Sequence, residues 1–382
     1  MPDELDELPP SSLAARDFAQ QQSVSDLDAM LRQAVAQSGR SPLQIRSEIR
    51  QARKWPGKVT TLDYLTYRLY EKNKSERREF ISDWVHWPIH EICEDPVLSP
   101  ITVDKWRCTE TLIEAGIPTV PILGVVDPTG GTYGATRRVT TSAELLDFLR
   151  STSLPVFAKP NSLLGSFGAF RIDDHDDVAL TINEHERVLV DSALDELMAG
   201  IPYVIQPVVE NHLAIAPIAS GLATVRTVNL VSPGEVRIAA AVFKIPTAGN
   251  IADNFWRSGN LLADVDPETG ALRRVVQGSG PGQVEHDDHP ETGARLVGLE
   301  LPWWSDVIRL NQQTAERFGS ISYQSQDITL TADGPVVVEV NSGSSFALPQ
   351  IASGRGFLTE ENKRFFESCG VNFRRLPEPL AK

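Results

Sequence analysis

The late hairpin of the chain, residues 327–341, carries side chains that could bind a metal ion. Two extended runs flank a turn, and the second run ends in Glu339-Val340-Asn341. Side chains two residues apart on a strand share a face, so Glu339 and Asn341 are predicted to point the same way. Val338 and Val340 are then expected to point into the core. This spacing would put a carboxylate and an amide oxygen side by side.

The turn of this hairpin decides whether Asp327 joins the pair. If Ala332-Asp333-Gly334 is a three-residue loop with Gly334 left-handed, Asp327 lies opposite Glu339, and directly opposite residues share a face. A two-residue Asp-Gly loop would put Asp327 on the other face. Two carboxylates and an amide oxygen are hard ligands, of which Mg²⁺ typically takes one or two together with substrate phosphates. The alternative is a solvated polar face on an ordinary hairpin.

A lysine followed by a glycine-rich loop forms a second candidate site. Lys159 ends a short apolar strand, and Gly165, Ser166 and Gly168 follow it. Glycine and serine let backbone N–H groups approach phosphate oxygens, and the lysine supplies charge. The order excludes a Walker A loop, in which the lysine follows the glycines and opens a helix. An ordinary Gly/Ser hairpin turn is the alternative.

Further polar side chains lie within predicted strands or at their ends. Gln206 could pair with an adenine edge or cap a sheet. Arg226 and Lys244 are costly inside strands unless they are paired or face a ligand, so anion binding and ion pairing both stay open. His286 and His289 superficially resemble a metal cluster, but without matching distant ligands a polar surface loop is favoured.

Composition limits the class of protein. The chain has 382 residues, a formal net charge of −15 and three cysteines. Its length predicts two or three subdomains, and its charge argues against nucleic acid or anionic membrane as a partner. The widely spaced cysteines fit neither a disulfide framework nor a zinc site. The acidic N-terminus lacks an apolar segment, and no run reaches membrane-spanning length, so a soluble cytoplasmic enzyme is expected.

The first quarter of the chain is predicted to be a helical region that precedes the rest of the fold, and it contains no candidate catalytic or binding residues. Residues 1–24 are predicted to be a disordered acidic tail, and residues 25–95 a helical region. Within that region, Ser41-Pro42 and Thr60 each open a helix, because proline suits a first turn and leucines then recur at helical spacing. A third helix is predicted to begin at Ser75 and to carry Phe80, Ile81 and Trp84.

After residue 95 strands and helices mix. A strand with edge prolines is predicted at 117–126. From Thr224 onward the chain reads as mostly strands, which a helix around 306–318 covers. This mixture favours α+β subdomains over a regular βαβ alternation.

Taken in order, the motifs resemble the ATP-grasp superfamily. The resemblance rests on Asp104-Lys105, Lys159-Pro160, Gly165-Ser-Phe-Gly168, Gln206-Pro-Val-Val-Glu210, Arg226, Lys244, Asp253-Asn254, Asp327 and Glu339-Val-Asn341. Further segments are similar to the sugar-transfer-associated branch, which is related to α-L-glutamate ligases: Asn211-His212, Thr224-Val-Arg-Thr-Val-Asn, Ala263-Asp-Val-Asp-Pro-Glu-Thr-Gly270, His289-Pro-Glu-Thr-Gly293 and Pro302-Trp-Trp. The resemblance covers about residues 100–355.

This resemblance implies an ATP-grasp fold, in which two α+β subdomains sandwich ATP, preceded here by the helical N-terminal region. Residues 96–150 would be a segment that precedes the ATP-grasp core. Residues 151–215 would be the small lid subdomain. Residues 216–382 would be the C-terminal subdomain with the metal site.

The resemblance also assigns roles to residues. The expected nucleotide ligands are Lys105 and Lys159 at the phosphates, Gly165, Ser166 and Gly168 in a lid over them, and Gln206 through Val208 at adenine. Mg²⁺, with Mn²⁺ as an alternative, would be held by Asp327, Glu339 and Asn341. The catalytic residues would be Arg226 and Lys244, which neutralise the transferred phosphoryl group, and Asn254, which orients the same region.

Some positions depart from the family pattern. A Gly-Gly pair usually follows the Asp-Asn, but the chain has Arg257-Ser258-Gly259-Asn260 there. The position of Lys244 is often arginine, and lysine lacks the bidentate fork. Gln326 replaces a tryptophan that commonly precedes the metal aspartate. None of these departures removes a metal ligand or a phosphate-binding cation.

The expected activity is ATP-dependent ligation of a small-molecule carboxylate to an amine through an acyl phosphate, with release of ADP and phosphate. A small-molecule kinase and a non-catalytic nucleotide-binding protein are the alternatives. His212 and Asp253 are candidates for the base that the nucleophile needs. The sequence leaves the oligomeric state undetermined, with a homodimer as one option.

Overall fold

The computed structural model describes residues 9, 12–21, 26–163 and 166–378. Within this part of the chain, two seven-stranded sheets face a common cleft. The strands are β1 (Gly124–Val126), β2 (Arg137–Val139), β3 (Val156–Pro160), β4 (Phe170–His175), β5 (Ala179–Ile182), β6 (Glu186–Leu189), β7 (Tyr203–Pro207), β8 (Thr224–Ser232), β9 (Glu235–Ile245), β10 (Leu261–Val265), β11 (Leu272–Gln277), β12 (Val284–Glu285), β13 (Tyr323–Thr331) and β14 (Gly334–Ser342).

The α-helices span Leu13–Gln21, Leu27–Ser38, Pro42–Ala52, Thr61–Thr66, Lys74–Arg77, His86–Cys93, Ser99–Val103, Lys105–Glu114, Ser142–Arg150, Val190–Ser192, Trp304–Arg317, Ala347–Ser353 and Glu360–Ser368. A π-helical turn at Ala193–Leu197 continues the short helix before it. No helix in the described ranges is both long enough and apolar enough to cross a membrane.

The smaller sheet has the strand order β2-β1-β7-β3-β4-β5-β6. Its pairs are antiparallel except for β1 and β2, which run parallel. The Ser142–Arg150 helix packs on it through Leu145 and Phe148, which join Val156 of β3 in one core. Thr141 begins this helix by accepting a hydrogen bond from the Glu144 N–H at 3.2 Å. The core fixes β3, and Lys159 lies near its end.

The larger sheet has the order β12-β11-β10-β9-β8-β13-β14, and all its pairs are antiparallel. One face packs against the Trp304–Arg317 helix, with Val225, Phe243 and Ile328 of the sheet meeting Val307 of the helix. Strand alternation sends the intervening residues, including Arg226 and Asp327, to the opposite face. The charged side chains therefore share a face because each lies between core positions.

That opposite face is partly covered by the helical N-terminal region. Leu65 and Tyr67 pack with Val242 and Leu262 of the large sheet in one buried cluster. A second cluster joins Ile81, Val85 and Ile89 to Val228 and Tyr323. The region shares its core with the large sheet, and the part of that face left uncovered becomes the floor of the cleft.

Residues 13–21 differ from the predicted disordered tail. They form a helix whose Ala14 packs on Phe167 and whose Phe18 ring lies 5.5 Å from that of Phe167. Asp17 accepts a hydrogen bond from the Gly168 N–H at 3.0 Å and pairs with Arg257 at 3.1 Å. The acidic composition of the N-terminal segment gave no indication of these tertiary contacts. Residues 1–8, 10, 11 and 22–24 of the predicted tail lie outside the described residues.

The predicted third helix of the N-terminal region is also shorter than expected. Asn73 caps a single helix over Lys74–Arg77, and the chain then extends. Gln350 explains the break, since its side chain bonds both the N–H and the carbonyl of Ile81, at 2.9 and 2.8 Å. These bonds replace helical ones. Likewise the strand predicted at 117–126 is regular only over Gly124–Val126, because prolines remove ladder donors before it.

Candidate active site

The β13–β14 hairpin pairs Asp327 with Glu339, as the sequence predicts, but by a different route. Thr331 pairs with Gly334, so the loop has two residues and the predicted three-residue loop is wrong. A register shift beyond Asp327 pairs Ile328 with Val337 and leaves Val338 as the extra residue of a bulge. The two-residue turn alone would have placed Asp327 opposite Val338. The extra residue of the bulge moves the register by one, so that Asp327 pairs with Glu339.

The same bulge changes which valines are core residues. Val337 and Val340 are fully buried behind the sheet, whereas Val338 lines the cleft beside Glu339 and Asn341. The prediction for Val340 is thus confirmed and the one for Val338 is wrong. Three oxygen-bearing side chains, those of Asp327, Glu339 and Asn341, nevertheless line one cleft.

Asp327 is held by two cations, one from the adjacent strand β8 and one from β9 beyond it. Arg226 lies directly across the β8–β13 pair and binds it bidentately, with Nε–Oδ1 at 2.8 Å and Nη2–Oδ2 at 2.6 Å. Lys244 Nζ lies 3.1 Å from the same Oδ2 and 2.8 Å from Asp253 Oδ2. Thr224 donates its hydroxyl proton to Asp253. The network neutralises each buried charge with at least one partner.

The charge states of the network follow from this pairing. Burial disfavours ionisation of Asp327, but the adjacent Arg226 and Lys244 hold the pKa of its carboxyl well below the usual range. Burial likewise disfavours the Arg226 cation, yet Asp327 and Glu339 raise its pKa above the ordinary value. Asp327 and Arg226 are therefore an ion pair at any working pH.

The opposite wall of the cleft carries two lysines. Lys159 lies near the end of β3, and Lys105 begins the Lys105–Glu114 helix, which Asp104 caps. Asn161 joins these elements, since its side chain accepts from the Trp106 N–H at 2.9 Å and donates to Asp104 at 3.1 Å. These two hydrogen bonds fix the positions of the two lysines relative to each other.

The two lysines differ in their partners. Lys105 Nζ donates to the Leu163 carbonyl at 2.6 Å and lies 3.6 Å from Glu339 Oε1 on the other wall. The Lys159 side chain makes no hydrogen bond or ion pair with any residue that the structure describes. Burial lowers the pKa of Lys159 to about 8, an effect that nearby Glu339 opposes and Lys105 reinforces. An anionic ligand would restore the charge on this lysine.

The walls enclose a cleft of about 430 Å³, which we call the inter-sheet cleft. Its charged lining in the described ranges comprises four cations and three carboxylates: Lys105, Lys159, Arg226, Lys244, Asp253, Asp327 and Glu339. This small positive excess arises inside a chain with a net charge of −15. A cleft with such a lining suits a phosphate-bearing ligand.

The side chains on the large-sheet wall fit a hard divalent cation. Glu339 meets one cation at 3.6 Å, and Asn341 lines the cleft two residues further along the same strand. Asp327 completes an all-oxygen donor set, although Arg226 and Lys244 share its oxygens. Mg²⁺ is usually bound through one or two carboxylates plus substrate phosphates, which this set and the facing lysines could supply.

Not every predicted nucleotide ligand lies in the cleft. Ser166 lines it, whereas Gln206 and Val208 are not among its lining residues. The Gln206 side chain is buried on β7 and donates to the Val120 carbonyl at 2.9 Å. The Gly168 N–H is bonded to Asp17, so it does not point at a phosphate site. Gly165 lies outside the described residues.

The other candidate catalytic residues also lie partly inside and partly outside the cleft. Asn254 and Asp253 line the cleft, and Asp253 is occupied by Lys244. His212 lies outside the cleft lining, and its Nδ1 accepts from the Ala214 N–H at 3.1 Å. Asp253 and His212 thus already have local partners.

Two aromatic residues of the N-terminal region belong to the cleft although no motif in the sequence predicted them there. His86 and Trp87 line the cleft beside the loop that follows β14. A hint was present, since His86 and His90 are four residues apart and share a helix face. Only the packing of that helix on a strand about 250 residues later gives the pair a location.

These motifs and this geometry agree with a comparison against protein families. Residues 92–364 match the family described as sugar-transfer associated ATP-grasp. The chain belongs to this family. Membership confirms the predicted α+β ATP-grasp fold with its helical N-terminal region. No curated protein matches the chain.

Two ligases and a carboxylase are among the solved structures that match this ATP-grasp protein in a structural comparison. The VanG D-Ala:D-Ser ligase from Enterococcus faecalis is 11% identical, with a TM-score of 0.40 over 71% of this chain and 64% of that one. The L-amino acid ligase from Bacillus licheniformis is 13% identical, with a TM-score of 0.39 over 70% and 48%. Biotin carboxylase from Campylobacter jejuni is 12% identical, with a TM-score of 0.41 over 71% and 46%.

The chain thus spans about half to two thirds of the length of these neighbours. The identities and TM-scores are too low to indicate a shared activity.

Proposed function

We propose that the protein is an ATP-dependent carboxylate–amine ligase that forms an amide through an acyl phosphate and releases ADP and phosphate. One observation carries the proposal: the inter-sheet cleft sets Lys105 and Lys159 opposite the oxygen ligands Asp327, Glu339 and Asn341. Cations for phosphates and ligands for a divalent metal are the two requirements of phosphoryl transfer. Family membership makes ATP the expected phosphate donor.

The residues divide the first step between them. Lys105 and Lys159 bind the nucleotide phosphates, while Arg226 and Lys244 neutralise charge as a substrate carboxylate oxygen attacks the γ-phosphorus and ADP leaves. Asp327, Glu339 and Asn341 would hold Mg²⁺, which would supply charge neutralisation at the phosphate oxygens. Asn254 lines the same cleft and orients the reacting carboxylate. Positioning and charge account for the catalysis, because phosphoryl transfer needs little covalent chemistry from the protein.

In the second step an amine attacks the acyl phosphate, the new C–N bond forms, and inorganic phosphate leaves. The substrates are a small-molecule carboxylate and a small-molecule amine. The proposal keeps a cytoplasmic location and no partnership with nucleic acid or membrane, in accord with the acidic charge of the chain. For the oligomeric state, the proposal keeps a homodimer as one option.

Trapping with hydroxylamine tests the proposal. The protein is incubated with MgATP and a pool of amino acids and sugar acids, and hydroxamate and ADP are measured with and without hydroxylamine. Wild-type protein is expected to form hydroxamate with one class of acid, and Glu339→Ala to form none. Asp333→Ala, an exposed change at the tip of the same hairpin, serves as a matched control that keeps activity.

Each other outcome contradicts the ligase proposal in a recognisable way. ADP formation with a stable phosphorylated product and no hydroxamate would indicate a small-molecule kinase. Tight binding of MgATP with no turnover over the whole pool would indicate a non-catalytic nucleotide-binding protein.

A further inference from the structure

Two cysteines that lie far apart in the sequence meet in the structure. Cys93 is the last residue of the His86–Cys93 helix, and Cys369 follows the Glu360–Ser368 helix as its C-cap. Cys93 belongs to the buried apolar cluster that includes Phe366, and Cys369 packs against that cluster. The Cys93 thiol donates a hydrogen bond to the Cys369 sulfur. The wide spacing of the cysteines in the sequence predicted no such pair.

Contacts of the surrounding backbone hold the two cysteines together. Ser322 donates its N–H to the Cys93 carbonyl at 2.9 Å, and its hydroxyl is hydrogen-bonded to the Cys369 sulfur. A Cβ atom built on Gly370 would lie 3.9 Å from Ile92 Cγ2, which is ordinary van der Waals contact. The residue before Cys93 therefore packs on the residue after Cys369. Two packed chain segments, and not the thiols alone, keep the sulfurs close.

The two sulfurs differ in their access to solvent. Cys93 is buried, whereas Cys369 is partly exposed. A small oxidant in solution therefore meets Cys369 first, with Cys93 directly behind it. The third cysteine, Cys108, is buried in the separate cluster behind the large sheet.

The same contacts affect the protonation of the thiols. The hydrogen bond from Cys93 lowers the pKa of Cys369 to about 7, an effect that burial opposes and the Ser322 hydroxyl reinforces. The pKa of Cys93 is raised by that hydrogen bond and by burial. Burial also raises the pKa of Cys108, to about 12. Because the thiolate is the reactive form of cysteine, Cys369 is the exposed and reactive member of the pair.

We propose that Cys93 and Cys369 are a redox-active pair that a peroxide converts into a disulfide. The Cys369 sulfur attacks one peroxide oxygen, the O–O bond breaks, and the other oxygen leaves as water after it gains a proton. The Cys93 sulfur then attacks the sulfenic acid at Cys369. The S–S bond forms, the S–O bond breaks, and the hydroxyl leaves with the Cys93 proton as a second water. The thiols lose two electrons, which the peroxide gains.

The disulfide would fasten the His86–Cys93 helix to the C-terminal part of the chain. His90 of that helix contacts the Ser342 hydroxyl at 3.0 Å, and Ser342 lines the inter-sheet cleft. The cross-link would thus act on an element that packs beside the cleft. Disulfides that form in a reducing compartment are usually transient and redox-sensing, which fits a pair that is reduced at rest. The inference does not depend on the proposed ligase activity.

Counting thiols in the full-length protein tests the proposal. Hydrogen peroxide is added and then destroyed with catalase, and the protein is denatured, alkylated and measured by intact mass and peptide mapping. The number of alkylated thiols is expected to fall from three to one, with Cys108 the thiol that remains, and dithiothreitol should restore all three. The oxidised protein is expected to have a Tm higher by roughly 5 °C.

Substitutions separate the roles of the two sulfurs. Cys93→Ala should accumulate a sulfenic acid at Cys369, which dimedone labels, and should form no disulfide. Cys369→Ser should leave Cys93 as a thiol, because the peroxide does not reach it. Cys108→Ala is the matched control, a buried cysteine outside the pair, and should form the disulfide at the wild-type rate.

Other outcomes would overturn the proposal. Wild-type protein that keeps three thiols under peroxide would do so, and so would a disulfide that joins Cys369 to Cys108 or to a second copy of the chain. Sulfinic or sulfonic acid at Cys369 with Cys93 still reduced would exclude Cys93 as its partner. An unchanged Tm after complete oxidation would exclude the fastening role. These measurements use wild-type protein, so they hold even where a variant fails to fold.

Discussion

The two walls of the inter-sheet cleft handle charge in opposite ways. On the large-sheet wall, Arg226, Lys244, Asp253 and Asp327 form a closed set of ion pairs at 2.6 to 3.1 Å. On the small-sheet wall, Lys159 has no ionic partner within the described residues, and burial lowers its pKa to about 8. One wall is electrostatically satisfied before any ligand arrives, and the other is not.

The difference shows how a fold can separate stability from binding. Buried charges that are paired and hydrogen-bonded keep their geometry, and removing one partner is strongly destabilising. A buried cation without a partner instead lowers the stability of the free protein. An anionic ligand that pairs with this cation then stabilises the complex. The large-sheet wall is therefore expected to be rigid, and the small-sheet wall to respond to the nucleotide.

Asp327→Ala gives the strongest test of the paired wall. Because the substitution leaves the buried Arg226 without its bidentate partner, the free energy of unfolding should fall by about 3–5 kcal/mol. Urea denaturation followed by circular dichroism measures it. Glu339→Ala is the control on the facing strand, where a partly exposed contact at 3.6 Å should cost less than about 1 kcal/mol. Equal losses in the two variants would show that the network contributes no special stability.

Lys159→Met tests the unpaired wall. Removal of a charge-assisted contact to phosphate should raise the Kd for MgATP by roughly 10- to 100-fold. The free energy of unfolding without ligand should stay the same or rise, because a partly buried, unpaired charge is lost. Calorimetric titration and urea denaturation give the two quantities. A variant that loses stability but keeps its affinity for MgATP would reverse the assignment of the two walls.

The pH dependence of nucleotide binding sharpens the same contrast. The folded-state pKa of Lys159, about 8, lies below its ordinary value of 10.5, so the free protein loses this proton as pH rises through 8. Since phosphate favours the ammonium form, the Kd for MgATP should rise about tenfold between about pH 7 and about pH 9.5. In the same alkaline range the unfolded chain binds more protons than the folded chain does, so the free energy of unfolding of the ligand-free protein should rise with pH.

Lys159→Arg is the matched control for this pH series. Arginine keeps its charge throughout the range, so its Kd should vary little with pH. A wild-type Kd that is equally flat would show that Lys159 is already fully charged in the free protein.

The smallest expected effect concerns the helix Leu13–Gln21, which contacts the lid loop of the small-sheet wall. Gly168 has φ +73°, and a Cβ there would lie 2.7 Å from the Tyr203 hydroxyl oxygen and 3.0 Å from Ala14. Gly168→Ala should lower the free energy of unfolding by about 1–2 kcal/mol, the usual cost of a left-handed L-residue. Combining it with Tyr203→Phe should recover part of the loss, and a strictly additive double mutant would exclude the contact as its cause.

Local rules predicted much of the chain correctly. Ser41-Pro42 begins one helix, Thr60 begins another, and β8, β9, β13 and β14 lie where apolar runs suggest. The family resemblance, now confirmed, came from motif order. Such features depend on neighbours a few residues apart, which the sequence displays directly.

The hairpin shows where local rules reach their limit. The pairing of Asp327 with Glu339 is correct, but the loop behind it is a residue shorter than predicted and a bulge at Val338 compensates. The run Val336-Val337-Val338 suits either register, because each valine could pack on either face. The core behind the sheet, which buries Val337 and Val340, selects the register that is found.

By itself the sequence determined which residue types could do chemistry and on which elements they lie: the lysine at the end of β3, the cations of β8 and β9, and the oxygen ligands of the last hairpin. Tertiary structure alone decided their partners. Arg226 meets Asp327 across 101 residues, and His86 reaches the cleft from a helix that showed no chemistry in the sequence. Periodicity specifies a face of an element, whereas long-range packing of apolar surfaces decides what that face meets.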